Sequence, residues 1–290
     1  MNLFRHRFFL PASFLLLLFI GLASCKTRQN QSVSKHPEAK LGWKLGAQAY
    51  TFKQFTFSQA IAKIDSCDLS YVEAYPGQEI GAGIPGKMDY KMDAAKRNLI
   101  LKKLQENHVK MVAYGVVGAD NEADWIKIFE FCKAMGVETI TSEPNEKYLQ
   151  LLSDLCDRYQ INVAIHNHPN PSHYWNPDIA LNAIKGKSKR LGLCADIGHW
   201  VRSGLDPVAS LKKASGHVLH LHMKDLNEKS RNAHDVHWGE GVCDIDAVIK
   251  ELKSQNFKGA ISAEYEYNWN SNSADVAESV KYFRKSFNQP

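Results

Sequence analysis

The run "VLHLHMKDL", Val218 to Leu226, sets His220, His222 and Lys224 on alternate positions with Leu219, Leu221 and Met223 between them. In an extended strand alternate side chains share a face, so two imidazoles and an ammonium look one way and three apolar groups the other. A neutral imidazole is a metal ligand and an acid or base, and a buried lysine needs a counter-charge. Carboxylates close other apolar runs: Glu143 follows "ETITS", Asp196 follows "LGLCA" and Glu264 follows "AISA". Two more histidines, His166 and His168, close "NVAI". Together these are the residue types of a metal site or of a general acid and base pair.

Such groups act together only if the chain gathers those run ends. From residue 41 onward, short apolar or alternating runs take turns with amphipathic segments. Strands are expected at 45–50, 71–75, 111–117, 138–144, 162–168, 191–200, 218–225 and 260–267. Helices are expected at 58–67, 93–107, 122–135, 146–159, 178–185, 206–214, 244–255 and 275–287. Ser58, Asp93, Asp178, Asp206 followed by Pro207, and Asp244 are the expected caps, because a short side-chain oxygen accepts from an otherwise unpaired first-turn N–H. Eight β-α repeats predict an α/β protein, a (β/α)8 TIM barrel as a single domain; a doubly wound sheet shares the alternation and differs in the count.

Strand parity assigns the two faces. Thr141, Cys194, His220 and Ser262 fall on the side of Glu143, Asp196, His222 and Glu264, whereas Ile140, Leu193, Leu221 and Ile261 face the covering helices. The four ionisable residues stand near the C-terminal ends of the fourth, sixth, seventh and eighth strands, the rim on which barrel enzymes carry their chemistry. Unpaired burial would cost on the order of several kcal/mol per ion, so a positive charge is expected among them. Three carboxylates and one imidazole suit a single divalent ion, Mn²⁺ first, with Co²⁺, Mg²⁺ or Zn²⁺ compatible. The metal-free alternative is a network in which Arg202 or Lys224 neutralises the carboxylates.

In this order, "SEP", "ADIGHW", "HLHMKD" and "AEYE" resemble the xylose-isomerase-like TIM barrels, the sugar phosphate isomerase/epimerase group. The resemblance spans residues 41–287. It implies metal ligation by Glu143, Asp196, His222 and Glu264, with His199 binding substrate or backing a ligand. The H-x-K-D run, His222 to Asp225, is most similar to the branch containing inosose dehydratase, which removes water beside a ketone on a sugar-like ring. That branch implies a lyase or hydratase on a keto sugar such as a 3-keto-glycoside or a 2-hydroxy-3-keto-glucal. A divalent ion chelating a ketone and its neighbouring hydroxyl stabilises an enediolate, while Glu143 and Glu264 serve as base and acid. Isomerisation or epimerisation of a free ketose uses the same ligands, and a sugar-binding protein without turnover would keep the same fold.

Further assignments follow from position. His166 and His168 are expected to protonate a departing group or bind hydroxyls, and Gln48, Lys224, His234 and Trp238 to contact substrate. His220, one layer deeper, is expected to pack, and Lys224 to pair with Asp225. Tyr174, Trp175 and Trp200 offer faces for a sugar ring or for the core. Apart from Cys25, the cysteines at 67, 132, 156, 194 and 243 have no C-x-x-C spacing, so no disulfide framework is expected.

The N-terminus carries a different message. Arg5 and Arg7 precede the apolar run Phe8–Ile20, which ends in "LASC" at Cys25 and resembles a bacterial lipobox. Residues 1–25 are therefore expected to be a lipoprotein signal with Cys25 lipidated, residues 26–40 a polar tether, and residues 41–290 the barrel. This implies an exported chain attached to a bacterial membrane through its N-terminal lipid only and facing the periplasm. Residues 1–40 hold six of the 36 Lys/Arg and one of the 31 Asp/Glu, which leaves thirty of each in the remainder. The barrel is formally neutral, so the basic overall charge is no evidence for a polyanionic partner; a small sugar is the expected partner and nucleic acid is not. Homo-oligomerisation is left open.

Overall fold

Strands β1 (Lys44–Gln48), β2 (Tyr71–Ala74), β3 (Lys110–Tyr114), β4 (Thr139–Ser142), β5 (Asn162–His166), β6 (Leu191–Asp196), β7 (Val218–Met223) and β8 (Ala260–Ala263) lie side by side in chain order. All are parallel, and the ring closes where β8 pairs with β1, Leu45 opposite Ile261, in a computed structural model that describes residues 35–288 and the isolated Met1. This is the eight-stranded barrel expected from the repeat count. Around it run α1 (Phe57–Ser66), α2 (Ala94–Glu106), α3 (Glu122–Met135), α4 (Leu149–Tyr159), α5 (Pro177–Ala183), α6 (Ile197–Arg202), α7 (Pro207–Lys213), α8 (Ile245–Ser254) and α9 (Ser273–Phe287).

The parity argument holds on both faces. Ile140, Leu193, Leu221 and Ile261 are buried in one apolar layer with Ile61, Phe129, Leu152, Leu211, Val248 and Phe283 from the helices. Thr141, His220, His222 and Ser262 point into the barrel, where all four touch one carboxylate described below. Asp93, Asp206 and Asp244 cap their helices as expected. α1 instead opens at Thr56, which forms a reciprocal capping box with Gln59, and α5 opens at Asn176, with Pro177 fixing its first turn.

The sixth strand ends earlier than its apolar run. β6 stops at Asp196 because Asp196 Oδ1 accepts from the His199 N–H at 2.7 Å and caps an additional short helix, α6. Gly198 lets that helix settle on β7: a Cβ there would lie 2.8 Å from Lys224 Cβ. Two short antiparallel ribbons also lie in loops, Glu79–Gly81 with Ile84–Lys87 and Asp225–Leu226 with Asp235–Val236.

The barrel begins before residue 41. Pro37–Leu41 forms a 3₁₀ turn, Glu38 is buried, and Arg284 of α9 gathers Glu38, Asp68 and His36. Trp43 packs edge-on against Phe287 at 5.3 Å and donates its indole N–H to the Phe257 carbonyl. The end of the expected tether is therefore part of the fold, since a buried Glu38 requires its arginine. Cys25 and the signal lie outside the described residues. Among the described residues no helix is long and apolar enough to cross a membrane, and the five cysteines are free and buried.

Candidate metal centre and active-site cleft

The strand ends place the expected residues within reach of one another. Asp196 and His166 are the last residues of β6 and β5, Glu143 and Glu264 follow β4 and β8 directly, and Lys224 follows β7. His166, Asp196, His222 and Glu264 each offer a ligand atom, and those atoms all lie within 4.8 Å of one another. His222 Nδ1 is 2.9 Å from Glu264 Oε2 and 3.8 Å from Asp196 Oδ2, while His166 Nε2 is 3.6 Å from Asp196 Oδ2. The same four atoms are buried and make no aligned hydrogen bond. Buried polar atoms almost always make a hydrogen bond, so four that converge on one point without an aligned one fit a bound divalent ion.

Glu143 stands one step outside that quartet. His166 Nδ1 lies 3.0 Å from Glu143 Oε1, His168 Nδ1 holds the same oxygen, and the Ser172 hydroxyl donates to Oε2 at 2.8 Å. The expected ligand set therefore appears with His166 beside Asp196, His222 and Glu264, and with Glu143 joined through His166. Burial pushes the Glu143 carboxyl up, but hydrogen bonds from the two histidines hold it well below the ordinary range.

Lys224 is the fixed cation of the site. Its ammonium is fully buried, 2.9 Å from Glu264 Oε2, 2.6 Å from Glu266 Oε2 and 3.5 Å from Asp196 Oδ2. Burial works against its charge, but Asp196, Glu264 and Glu266 raise its pKa well above that of a free lysine. The expected pair with Asp225 does not form, because Asp225 is consumed by the backbone N–H groups of Gly239, Gly241 and Cys243. Arg202 reaches Asp235 and Glu266, each at 3.3 Å. Burial pushes Asp235 up to about 6, against the pull of Lys224 and Arg202. Around this floor, six carboxylates (Glu73, Glu143, Asp196, Asp235, Glu264 and Glu266) face only two permanent cations. Lysine and arginine alone therefore do not neutralise the site; His166 and His222, whose pKa values burial lowers but these carboxylates raise, add positive charge to the metal-free chain at the positions an ion would take.

Above the floor opens a cleft of about 300 Å³ lined by Gln48, Tyr50, Tyr75, Gly115, His166, His168, His199, Glu264 and Glu266. Gln48 lines it while spending its amide on the Gly115 carbonyl and the Tyr50 N–H. Gly115 itself lies close against β4, where a Cβ would collide with the Thr141 backbone oxygen. Tyr50 and Tyr75 meet edge-on at 5.3 Å and form an aromatic wall. His199 is present, its Nε2 3.6 Å from Asp196 Oδ2.

Other expected contacts lie elsewhere. Trp238 is buried against Phe283 and does not line the cleft; its loop is pinned by Asp225 and Ser279. His234 is exposed and stacked on Tyr267, and likewise is not among the lining residues. Tyr174 is buried with its hydroxyl on the Pro144 carbonyl, and Trp200 is fully buried, so neither offers a face to a sugar. Glu73, Glu266, Tyr50 and Tyr75 were not foreseen. A glutamate between Val72 and Ala74 in a buried strand was the available signal for the first, and same-face spacing from Glu264 for the second.

Residues 61–286 match the family model described as xylose isomerase-like TIM barrel. The chain is 23% identical over 270 residues to an inosose dehydratase of Clostridium beijerinckii, covering 78% of this chain and 87% of that one. An uncharacterised protein of Parabacteroides distasonis, known from its crystal structure, is 33% identical with a TM-score of 0.70, covering 84% of this chain and 99% of that one. IolI, solved with a bound zinc atom, is 18% identical with a TM-score of 0.63 over 84% of this chain and 98% of that one, a likeness of fold.

Proposed function

The chain belongs to the xylose isomerase-like TIM barrel family, and from that premise we propose that it is a divalent-metal-dependent enzyme acting on a keto sugar as a lyase or hydratase. One observation carries this reading: four buried donor atoms from His166, Asp196, His222 and Glu264, none with an aligned hydrogen bond, meet at the floor of an open cleft. The similarity to an inosose dehydratase supports the direction toward water loss or addition. His166, Asp196, His222 and Glu264 would hold the ion; two imidazoles and two carboxylates suit Mn²⁺, Co²⁺ or Zn²⁺, with Mn²⁺ the first to test. When bound, the ion supplies Lewis-acid polarisation of a ketone and its neighbouring hydroxyl.

The chain's own groups account for the proton movements. Glu264 lines the cleft and, held ionised by Lys224 and His222, is placed to take the proton from the carbon beside the ketone. His168 is half exposed at the mouth; its Nδ1 is engaged by Glu143, which leaves Nε2 as the nitrogen to protonate a departing hydroxyl or alkoxyl oxygen. The C–H and C–O bonds break, a C=C bond forms, and no oxidant is needed. Hydration is the reverse. Lys224 stays charged beside Glu264 and offsets negative charge gathering at the carbonyl oxygen. Tyr50 and Tyr75 offer ring faces to the sugar.

Export and lipidation at Cys25 belong to the same proposal: outside the cytoplasm the substrate would be unphosphorylated, as with a 3-keto-glucoside. The test is NMR of the purified chain with Mn²⁺ and a 3-keto-glucoside in D₂O. Release of the aglycone or of water, with an enone-type product, is the expected result. Deuterium exchange with a new ketose or epimer and no elimination would replace this reading with isomerase or epimerase chemistry, and an unchanged spectrum would remove it.

A further inference from the structure

Beneath the metal-binding atoms, in the layer of side chains that fills the barrel, stands Glu73 of β2, fully buried and absent from the cleft lining. Its Oε2 lies 2.8 Å from His222 Nε2, 2.8 Å from His220 Nε2 and 2.9 Å from the Ser262 hydroxyl, and its Oε1 accepts from Thr141. One carboxylate therefore ties together β2, β4, β7 and β8.

We infer that Glu73 is a positioning residue that presents His222 to the metal through Nδ1. An imidazole has two nitrogens, and a carboxylate stands at each end of this ring: Glu73 at Nε2, 2.8 Å away, and Glu264 at Nδ1, 2.9 Å away. Without Glu73, Glu264 is the one close carboxylate acceptor, so the hydrogen would sit on Nδ1 and block the nitrogen that faces Asp196 and Glu264. With Glu73 in place, the ring donates from Nε2 downward and its Nδ1 lone pair faces the quartet. The carboxylate is itself held by Thr141 and Ser262 from strands on either side, so it fixes the ring's tilt as well as its hydrogen. His220 shares the same acceptor and leaves only Nδ1 unpartnered. It thereby blocks the remaining approach to Glu73 Oε2 and keeps that oxygen from water.

The inference rests on the metal reading above, and its test is binding rather than turnover. Mn²⁺ affinity is measured by chelator competition for the wild-type chain, Glu73→Met, which removes the acceptor, and Glu73→Gln, which keeps an acceptor oxygen without the charge. The expected result is a dissociation constant about ten- to a hundredfold weaker in Glu73→Met, with Glu73→Gln recovering most of the loss. Equal losses in the two variants would assign the effect to charge and overturn positioning, as would unchanged affinity in both. A wild-type chain that binds no divalent ion would overturn this inference and the metal reading together, whereas wild-type binding with unchanged variants overturns this inference alone. A measurement that needs no Glu73 variant is ¹⁵N NMR of histidine-labelled wild-type chain with Zn²⁺, the His222 signals identified by their loss in His222→Gln. Retention of the hydrogen on Nε2 with Nδ1 shifted by the metal is expected, and the opposite assignment would overturn the proposal.

Discussion

Lys224 shows how much of the site rests on a single side chain. Its ammonium is the closest permanent cation to Glu264 and Glu266 and also lies within 3.5 Å of Asp196. Removing one partner from a buried ionic cluster leaves the others uncompensated, which typically costs about 3–5 kcal/mol. Lys224→Met is therefore expected to destabilise the metal-free chain by about that amount, read from urea denaturation in EDTA. Added Mn²⁺ brings positive charge to two of the same carboxylates, so the gap between variant and wild type narrows when the metal saturates both. A gap of the same size with and without metal would show that the lysine acts away from the ligands. The sequence disclosed this residue through strand parity alone, as the third member of the face shared by His220 and His222. It did not disclose Glu266 as the partner: Asp225, next in the chain, was the nearer choice, and only the folded loop shows three backbone N–H groups occupying it.

Among the elements, α6 does the most for the site although it has only six residues. It begins at Asp196, a carboxylate of the candidate metal quartet, carries His199 into the cleft and ends at Arg202, which pairs with Asp235 and Glu266. Its seat on β7 depends on Gly198, whose missing Cβ leaves room for the stem of Lys224. Gly198→Ala forces that stem or the helix aside, and overpacking of this kind costs about 1–3 kcal/mol. A helix shift moves Asp196 as well, so the expected outcome is a lower denaturation midpoint together with weaker Mn²⁺ binding. Loss of stability with unaltered binding would mean that the strain is absorbed away from the cap. This helix was hidden in the sequence because "ADIGHW" continues the apolar run of β6, and no local signal distinguishes an aspartate ending a strand from one capping a helix. The barrel itself was legible, since eight repeats of two different periods leave few other folds. Glu143, Asp196, His222 and Glu264 were legible from parity, but the place of His166 in the quartet depends on how far neighbouring side chains reach, which spacing does not encode.

At the scale of the whole molecule, the barrel bears a concentration of like charge at one rim. Five carboxylates, with Glu73 a layer below them, meet two permanent cations there, and β4 to β8 or the residues directly after them each bring at least one charged or imidazole group. The ring of strands closes only if those ends stay together, so repulsion at the rim opposes the same closure that the apolar layer between strands and helices drives. An ion bound by residues from β5, β6, β7 and β8 would link four neighbouring strands at the point of greatest repulsion and stabilise the native state by mass action. At a hundredfold excess over its dissociation constant, a ligand specific for the native state contributes about 2.7 kcal/mol. For a domain of this size each kcal/mol raises Tm by about 2–4 °C, so Mn²⁺ is expected to raise it by about 5–10 °C. EDTA should reverse the shift, and Asp196→Asn should abolish most of it while leaving the metal-free barrel folded. Differential scanning calorimetry on wild type and variant, with and without the ion, decides the matter. A Tm indifferent to Mn²⁺, Co²⁺ and Zn²⁺ alike would mean that the four converging atoms do not bind such an ion, whereas a shift confined to one ion would identify the metal that the quartet selects.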